Sequence, residues 1–209
     1  MKDPLPLVVL ISGTGSTLQH LIEQIRQGHL SARIVKVISS RAHVLGVERA
    51  KQANLPTEII SRKSFSSWED FATATFDSIQ QTEAQYVILA GYMQRLMIPR
   101  AYENRVLNIH PSLLPAFGGQ GMYGHHVHEA VLEYGAKVTG CTVHFVDEEY
   151  DHGPIIAQTP VRVEAEDTPE SLAARVQQAE RALYPEVIQA LAERRVSIHG
   201  RRVRVSPRI

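Results

Sequence analysis

The first 110 residues alternate short apolar runs with segments of helical period, and nothing else in the chain narrows its possible folds as much. Residues 7–12 read as a buried strand, and 17–28 as a helix with Leu18, Leu21, Ile22 and Ile25 on one face and Gly28 at its end. A second strand over 33–38 precedes a helix near 43–53. A short strand at 57–60 leads to a helix over roughly 66–81, for which Ser64 is the candidate cap. "YVILA" (86–90) and "RVLNIH" (105–110) supply a fourth and a fifth strand. Short strands joined by helices run in one direction with right-handed crossovers, which predicts an α/β fold: a doubly wound, mainly parallel sheet with a Rossmann-like N-terminal half.

The pattern changes in the second half. A glycine-rich loop and a helix near 125–134 are followed by "KVTGCTVHFV" and "PIIAQTPVRV", two strands with no long helix between them. These are expected to be antiparallel additions to the sheet. Asp167 is the expected cap of a long helix through residue 190, with Pro169 in its first turn. "RRVSIHGRRVRVS" has the form of a hairpin turning at His199-Gly200. The arginines there lack interleaved aromatics, which favours a solvated hairpin or interface edge over a nucleic-acid arm. A chain of 209 residues fits one domain, 1–209.

Charge excludes some partners. Lys plus Arg and Asp plus Glu both number 22, so no global field points to nucleic acid or a membrane surface. The N-terminal apolar run lies behind Asp3, Pro4 and Pro6 and leads straight into a patterned loop, so it reads as a strand and not a signal peptide. No run approaches the ~20 apolar residues of a membrane span. The one cysteine, Cys141, excludes an internal disulfide and suits a reducing, cytoplasmic compartment; it reads as a small apolar strand residue.

Three stretches carry candidate chemistry. "SGTGSTL" (12–18) joins the first strand to the first helix, where backbone N–H groups and a helix N-terminus face an anion. The dinucleotide fingerprint fails, because Leu18 stands at its third glycine and the chain reads Ser39-Ser40-Arg41 where an acidic residue should hold a ribose. Walker A fails for want of Gly-Lys-Ser/Thr. Two readings remain: a phosphate monoester held by Gly15, Ser16 and Thr17, or a tight turn in which Ser16 or Thr17 caps the helix.

The second stretch is "VLNIHPSLLPAFGG" (106–119). Strand periodicity puts Asn108 and His110 on one face, and Pro111 ends the ladder immediately after them. An amide that can donate to a developing oxyanion then sits beside an imidazole that can move a proton. The third is "VDEEYDHGP" (146–154), where one carboxylate turned toward His110 would raise its pKa and orient it. Asp151, next to the turn, is the candidate. Calcium does not fit the spacing, and His125, His126 and His128 lack a metal-ligand frame and read as surface or loop histidines.

"LISGTGSTL", "NIHPSLLPAFGGQGMYG", "GCTVHFVDEEYDHGPIIAQ" and "RVQQAERALYP", in this order, give the chain a resemblance to the phosphoribosylglycinamide formyltransferases of purine biosynthesis. It extends over roughly residues 7–200. Methionyl-tRNA formyltransferases and formyltetrahydrofolate deformylases share the Asn-x-His-Pro-Ser-Leu-Leu-Pro motif but carry a further domain, for which this chain is expected to have no room. The resemblance implies formyl transfer from 10-formyltetrahydrofolate, as co-substrate and without a metal, to the amine of glycinamide ribonucleotide. It also implies a monomer or homodimer acting on small molecules. It makes Asn108 the oxyanion donor, His110 the proton-transfer and electrostatic group, and Asp151 the carboxylate supporting His110. Gly15, Ser16, Thr17, Gln177 and Glu180 would contact the nucleotide. Met93, Gln94, Arg95 and Leu96 would line the pteridine together with Asn108 and the loop Asp147, Glu148, Glu149, Tyr150 and Asp151. In two places the chain departs from the family pattern. "GYMQRLM" leaves open whether Gln94 or Arg95 takes the role of the usual arginine, and Trp68 stands where a folate-contacting arginine is common, with Lys63 as the candidate substitute.

Overall fold

The computed structural model describes residues 3–208, which divide into two compact units, one ending at Leu107 and one beginning at Asn108. The first contains β1 (Leu5–Ile11), α1 (Ser16–Arg26), β2 (Ala32–Ser39), α2 (Leu45–Gln52), β3 (Thr57–Ile59), α3 (Trp68–Gln80) and β4 (Tyr86–Leu89). Its strands run in the order β3-β2-β1-β4, all parallel. Every residue of β1 is buried, as a strand covered on both faces requires. This is the doubly wound half that the alternating pattern predicts. Ser67, and not Ser64, caps α3, accepting the Asp70 N–H at 2.9 Å; Ser64 ends a short 3-10 turn, Arg62–Ser64. The two serines differ in register by three residues, less than one helical turn, so composition could not separate them.

The division falls inside β5 (Val106–His110). The second unit continues with α4 (His125–Tyr134), β6 (Val138–Phe145), β7 (Ile155–Arg162), α5 (Pro169–Ala192) and the hairpin β8 (Val196–His199) and β9 (Arg202–Val205). Its strand order is β5-β6-β7, with β6 and β7 antiparallel as expected. Thr168, not Asp167, is the N-cap of α5 and forms a reciprocal capping box with Ser171. Asp167 instead accepts from Ser171 Oγ and from both terminal nitrogens of Arg175, and closes the turn from Glu164. Leu172, Val176, Leu183, Val187 and Leu191 bury the inner face of α5. No described helix is long and apolar enough to cross a membrane.

Candidate active site

Val106 and Leu107 are fully buried and fix β5, while Pro111 stops it. Asn108 and His110 therefore share a face at the carboxyl end of a strand, the usual location of ligand sites in α/β sheets. His110 is 4% exposed. Its Nε2 donates to the Phe117 carbonyl at 2.8 Å, and its Nδ1 lies 3.4 Å from Asp151 Oδ2. The same Oδ2 accepts the Gly119 N–H at 3.0 Å. Asp151 Oδ1 lies 3.7 Å from His144 Nε2.

His144 completes the group. Its Nδ1 donates to the Phe145 carbonyl at 2.8 Å, and its Nε2 accepts from Asn108 Nδ2 at 3.3 Å. These tautomers are assigned from the partners. Asn108, His144, Asp151 and His110 thus form a continuous polar chain within the second unit. Sequence reasoning passed over His144, although period-2 alternation puts it on the same face of β6 as Thr142.

Burial pushes the His110 pKa below its ordinary value, outweighing the Asp151 charge and the Phe117 carbonyl, which favour the imidazolium; His144 adds to the lowering. Asp151 acts in the expected direction, raising the imidazole pKa by its charge, but desolvation is larger and the net position is lowered. For Asp151, burial favours the neutral acid. The His144 ring beside it, the His110 charge and the Gly119 N–H together override it and hold the carboxyl below the usual range.

The loop from 111 to 119 is tied to the sheet through one hydroxyl. Thr142 Oγ1 donates to the Ser112 carbonyl at 2.7 Å and accepts from the Leu114 N–H at 3.0 Å and Gln158 Nε2 at 2.9 Å. Gln158 Nε2 also reaches the Leu114 carbonyl. The 146–153 loop closes where Phe145 N–H meets the Pro154 carbonyl at 2.9 Å. A Cβ on Gly153 would stand 1.9 Å from the Phe145 carbonyl oxygen, so only glycine fits there. Asp151 takes φ 53°, the left-handed region where Asp and Asn are the least strained of ordinary residues. Asp147 Oδ1 accepts the Glu149 N–H, and Glu148, Glu149 and Tyr150 are exposed.

In the first unit, Gly15 is the N-cap of α1 at φ 68°, and neither Ser16 nor Thr17 caps the helix, so the capping alternative falls. Gly15 has a packing reason as well: its Cβ would lie 2.6 Å from Gly46 Cα. Ser12 Oγ shares a 2.7 Å hydrogen bond with Ser40 Oγ and accepts the Met93 N–H at 2.9 Å, tying the 93–96 segment to the end of β1. Leu96 is buried, Met93 and Arg95 are exposed and Gln94 is half-buried. Arg62 lies over the Trp68 ring at 4.6 Å, and Lys63 is exposed.

On α5, Gln177 and Glu180 are one turn apart, with Gln177 exposed and Glu180 half-buried. Burial lifts the Glu180 carboxyl to about 7, against the opposing charge of Arg181. His125 and His126 are exposed, but His128 is buried, contrary to expectation. Among the described residues no group of His, Cys, Asp or Glu is placed to hold a metal ion.

Known proteins share this arrangement of elements. Residues 5–188 match the formyl transferase family. The chain is 39% identical to the phosphoribosylglycinamide formyltransferase of Escherichia coli (strain K12) over 92% of its own length and 90% of that enzyme. It is 44% identical to the trifunctional purine biosynthetic protein adenosine-3 of Bos taurus over 89% of its length, but spans only 18% of that longer protein. The crystal structure of glycinamide ribonucleotide transformylase 1 from Symbiobacterium toebii superposes with a TM-score of 0.92 at 41% identity, covering 99% of this chain and 96% of that one. With the same fold over nearly its whole length and the matched residues spanning both units, the chain belongs to the formyl transferase family, and within it to the phosphoribosylglycinamide formyltransferases.

Proposed function

We propose that the chain transfers the formyl group of 10-formyltetrahydrofolate to the glycinamide amine of 5'-phosphoribosylglycinamide, a step of de novo purine biosynthesis. The observation that carries this reading is the polar chain Asn108–His144–Asp151–His110 at the end of β5, in a chain of this family. The amine attacks the formyl carbon; a C–N bond forms, the bond to folate N10 breaks, and one amine proton ends on N10. Asn108 spends one N–H on His144 and has a second for the oxyanion of the tetrahedral intermediate. His110 supplies the proton relay and positive potential, exchanging its Phe117 bond for the substrate as the complex forms. Asp151 orients His110 and favours its charged form.

Gly15, Ser16, Thr17, Gln177 and Glu180 contact the nucleotide. Met93, Gln94, Arg95, Leu96, Asn108 and residues Asp147 to Asp151 contact the folate. Residues 1–209 act as a single formyltransferase domain, as monomer or homodimer, in the cytoplasm, where the lone thiol stays reduced. The chemistry uses no metal. The test is turnover of 10-formyltetrahydrofolate with and without glycinamide ribonucleotide. Consumption only when the nucleotide is present supports transfer. Equal consumption without it means hydrolysis, and ligand binding with no consumption means a non-catalytic module.

A further inference from the structure

We propose that Arg201, in the turn of the C-terminal hairpin, is a positioning residue for Asp151. Its Nη2 donates to the His152 carbonyl at 2.5 Å, and its Nη1 donates to His152 Nε2 at 3.2 Å. His152 Nδ1, 3.5 Å from the same Nη1, donates to Asp147 Oδ2 at 2.8 Å. One neutral imidazole tautomer satisfies both partners, with the proton on Nδ1. Asp147 in turn holds the Glu149 N–H. The guanidinium thus joins the hairpin, across 49 residues of chain, to both ends of the turn that carries Asp151.

As a surface contact this clamp adds little to global stability, since His152 is 46% exposed. Its significance is its place. Asp151 holds φ 53°, which non-glycine residues seldom adopt, and both residues after it are pinned: His152 by Arg201, and Gly153 by the Phe145 carbonyl packed against its Cα. With Arg201 gone, the peptide following Asp151 is free to relax. The carboxylate then leaves its 3.0 Å bond from Gly119 and its approach to His110.

The rate part of the test rests on the formyl-transfer reading; the exchange part does not. Hydrogen exchange is followed for residues 147–153 and for the Gly119 amide, in the full chain and in Arg201→Ala, Arg201→Lys, His152→Ala and His152→Gln. Arg201→Ala and His152→Ala should raise exchange at both places, leave Tm within a degree or two, and lower kcat about tenfold with nucleotide KM unchanged. Arg201→Lys and His152→Gln, which each keep part of the link, should recover part of the protection and of the rate. Unchanged Gly119 protection in Arg201→Ala overturns the proposal. So does lost protection with undiminished kcat. A parent protein without formyl transfer would refute the reading of function, and the exchange result would still decide whether Arg201 holds Asp151.

Discussion

Replacing Asp151 by Asn removes one charge from the polar chain while leaving its shape almost intact. Asn tolerates the left-handed backbone that Asp151 adopts at φ 53°, and its side-chain oxygen can still accept the Gly119 N–H. What is lost is the field on two imidazoles, at 3.4 Å and 3.7 Å. Unit charges at those distances attract by about 4–5 kcal/mol at an effective dielectric constant near 20. The Asp151 side chain keeps 12% of its exposure, and water there screens about half of this. The remainder, about 2–3 kcal/mol acting on an imidazolium in the transition state, corresponds to roughly a 100-fold fall in kcat. The sign for pH follows from the same contacts. Burial already lowers the His110 pKa and Asp151 partly offsets it, so the Asn variant should move the controlling pKa of the rate profile further down. Single-turnover formyl transfer measured across pH, beside Tm, tests this. A profile that stays in place or moves up refutes the argument. Strict additivity of Asp151→Asn with His110→Asn also refutes it, because groups acting as one unit are not additive.

Asn108→Ala should reduce kcat by about 3–4 kcal/mol, some 10²- to 10³-fold, with little change in either KM; retained turnover would remove its oxyanion role. Thr17→Val should raise the KM for glycinamide ribonucleotide about tenfold and abolish competition by inorganic phosphate, with folate affinity by calorimetry unchanged. Gly15→Ala is a different kind of test: with φ 68° and Gly46 Cα 2.6 Å from the new Cβ, it should cost about 2 kcal/mol or more of stability, read as a lower Tm, whatever ligand the loop binds. Glu180 has a folded pKa of about 7 against an ordinary 4.5, so the parent should lose stability as pH rises from about 4.5 to about 7. Glu180→Gln should lack that loss, gaining up to about 3 kcal/mol relative to the parent by pH 8 in denaturant titrations.

The parallel half of the fold was legible because β1 and β4 are almost wholly buried and the helices bury one face each, so apolar runs and helical periodicity mark them. Asn108 and His110 were legible for a similar reason: strand periodicity and Pro111 leave them no other arrangement. Asp151 was harder to find, since four carboxylates share that loop and only the backbone turn at 151 and the Gly119 amide select one. His144 was missed because a histidine in an apolar strand looks like core until its neighbours on β5 are known. The lowered His110 pKa depends on desolvation, a property of the whole surrounding shell. The placing of Arg62 over Trp68 depends on the 3-10 turn at Arg62–Ser64, which no local pattern marks.

Cys141 lies fully buried in β6, between β5 and β7, with its thiol pushed up to about 12 by burial and by the nearby Glu180 charge. A thiol in that state is inert toward alkylating reagents, because the thiolate is the nucleophile that attacks them. The chain carries no other cysteine. Alkylation is therefore a clock for the opening of the second unit: each labelled molecule has, at least once, parted the strands on which Asn108 and His144 are held. Pulse-labelling with mass detection would time that event without any engineered probe, and saturating ligand should slow the clock by the factor its binding adds to stability.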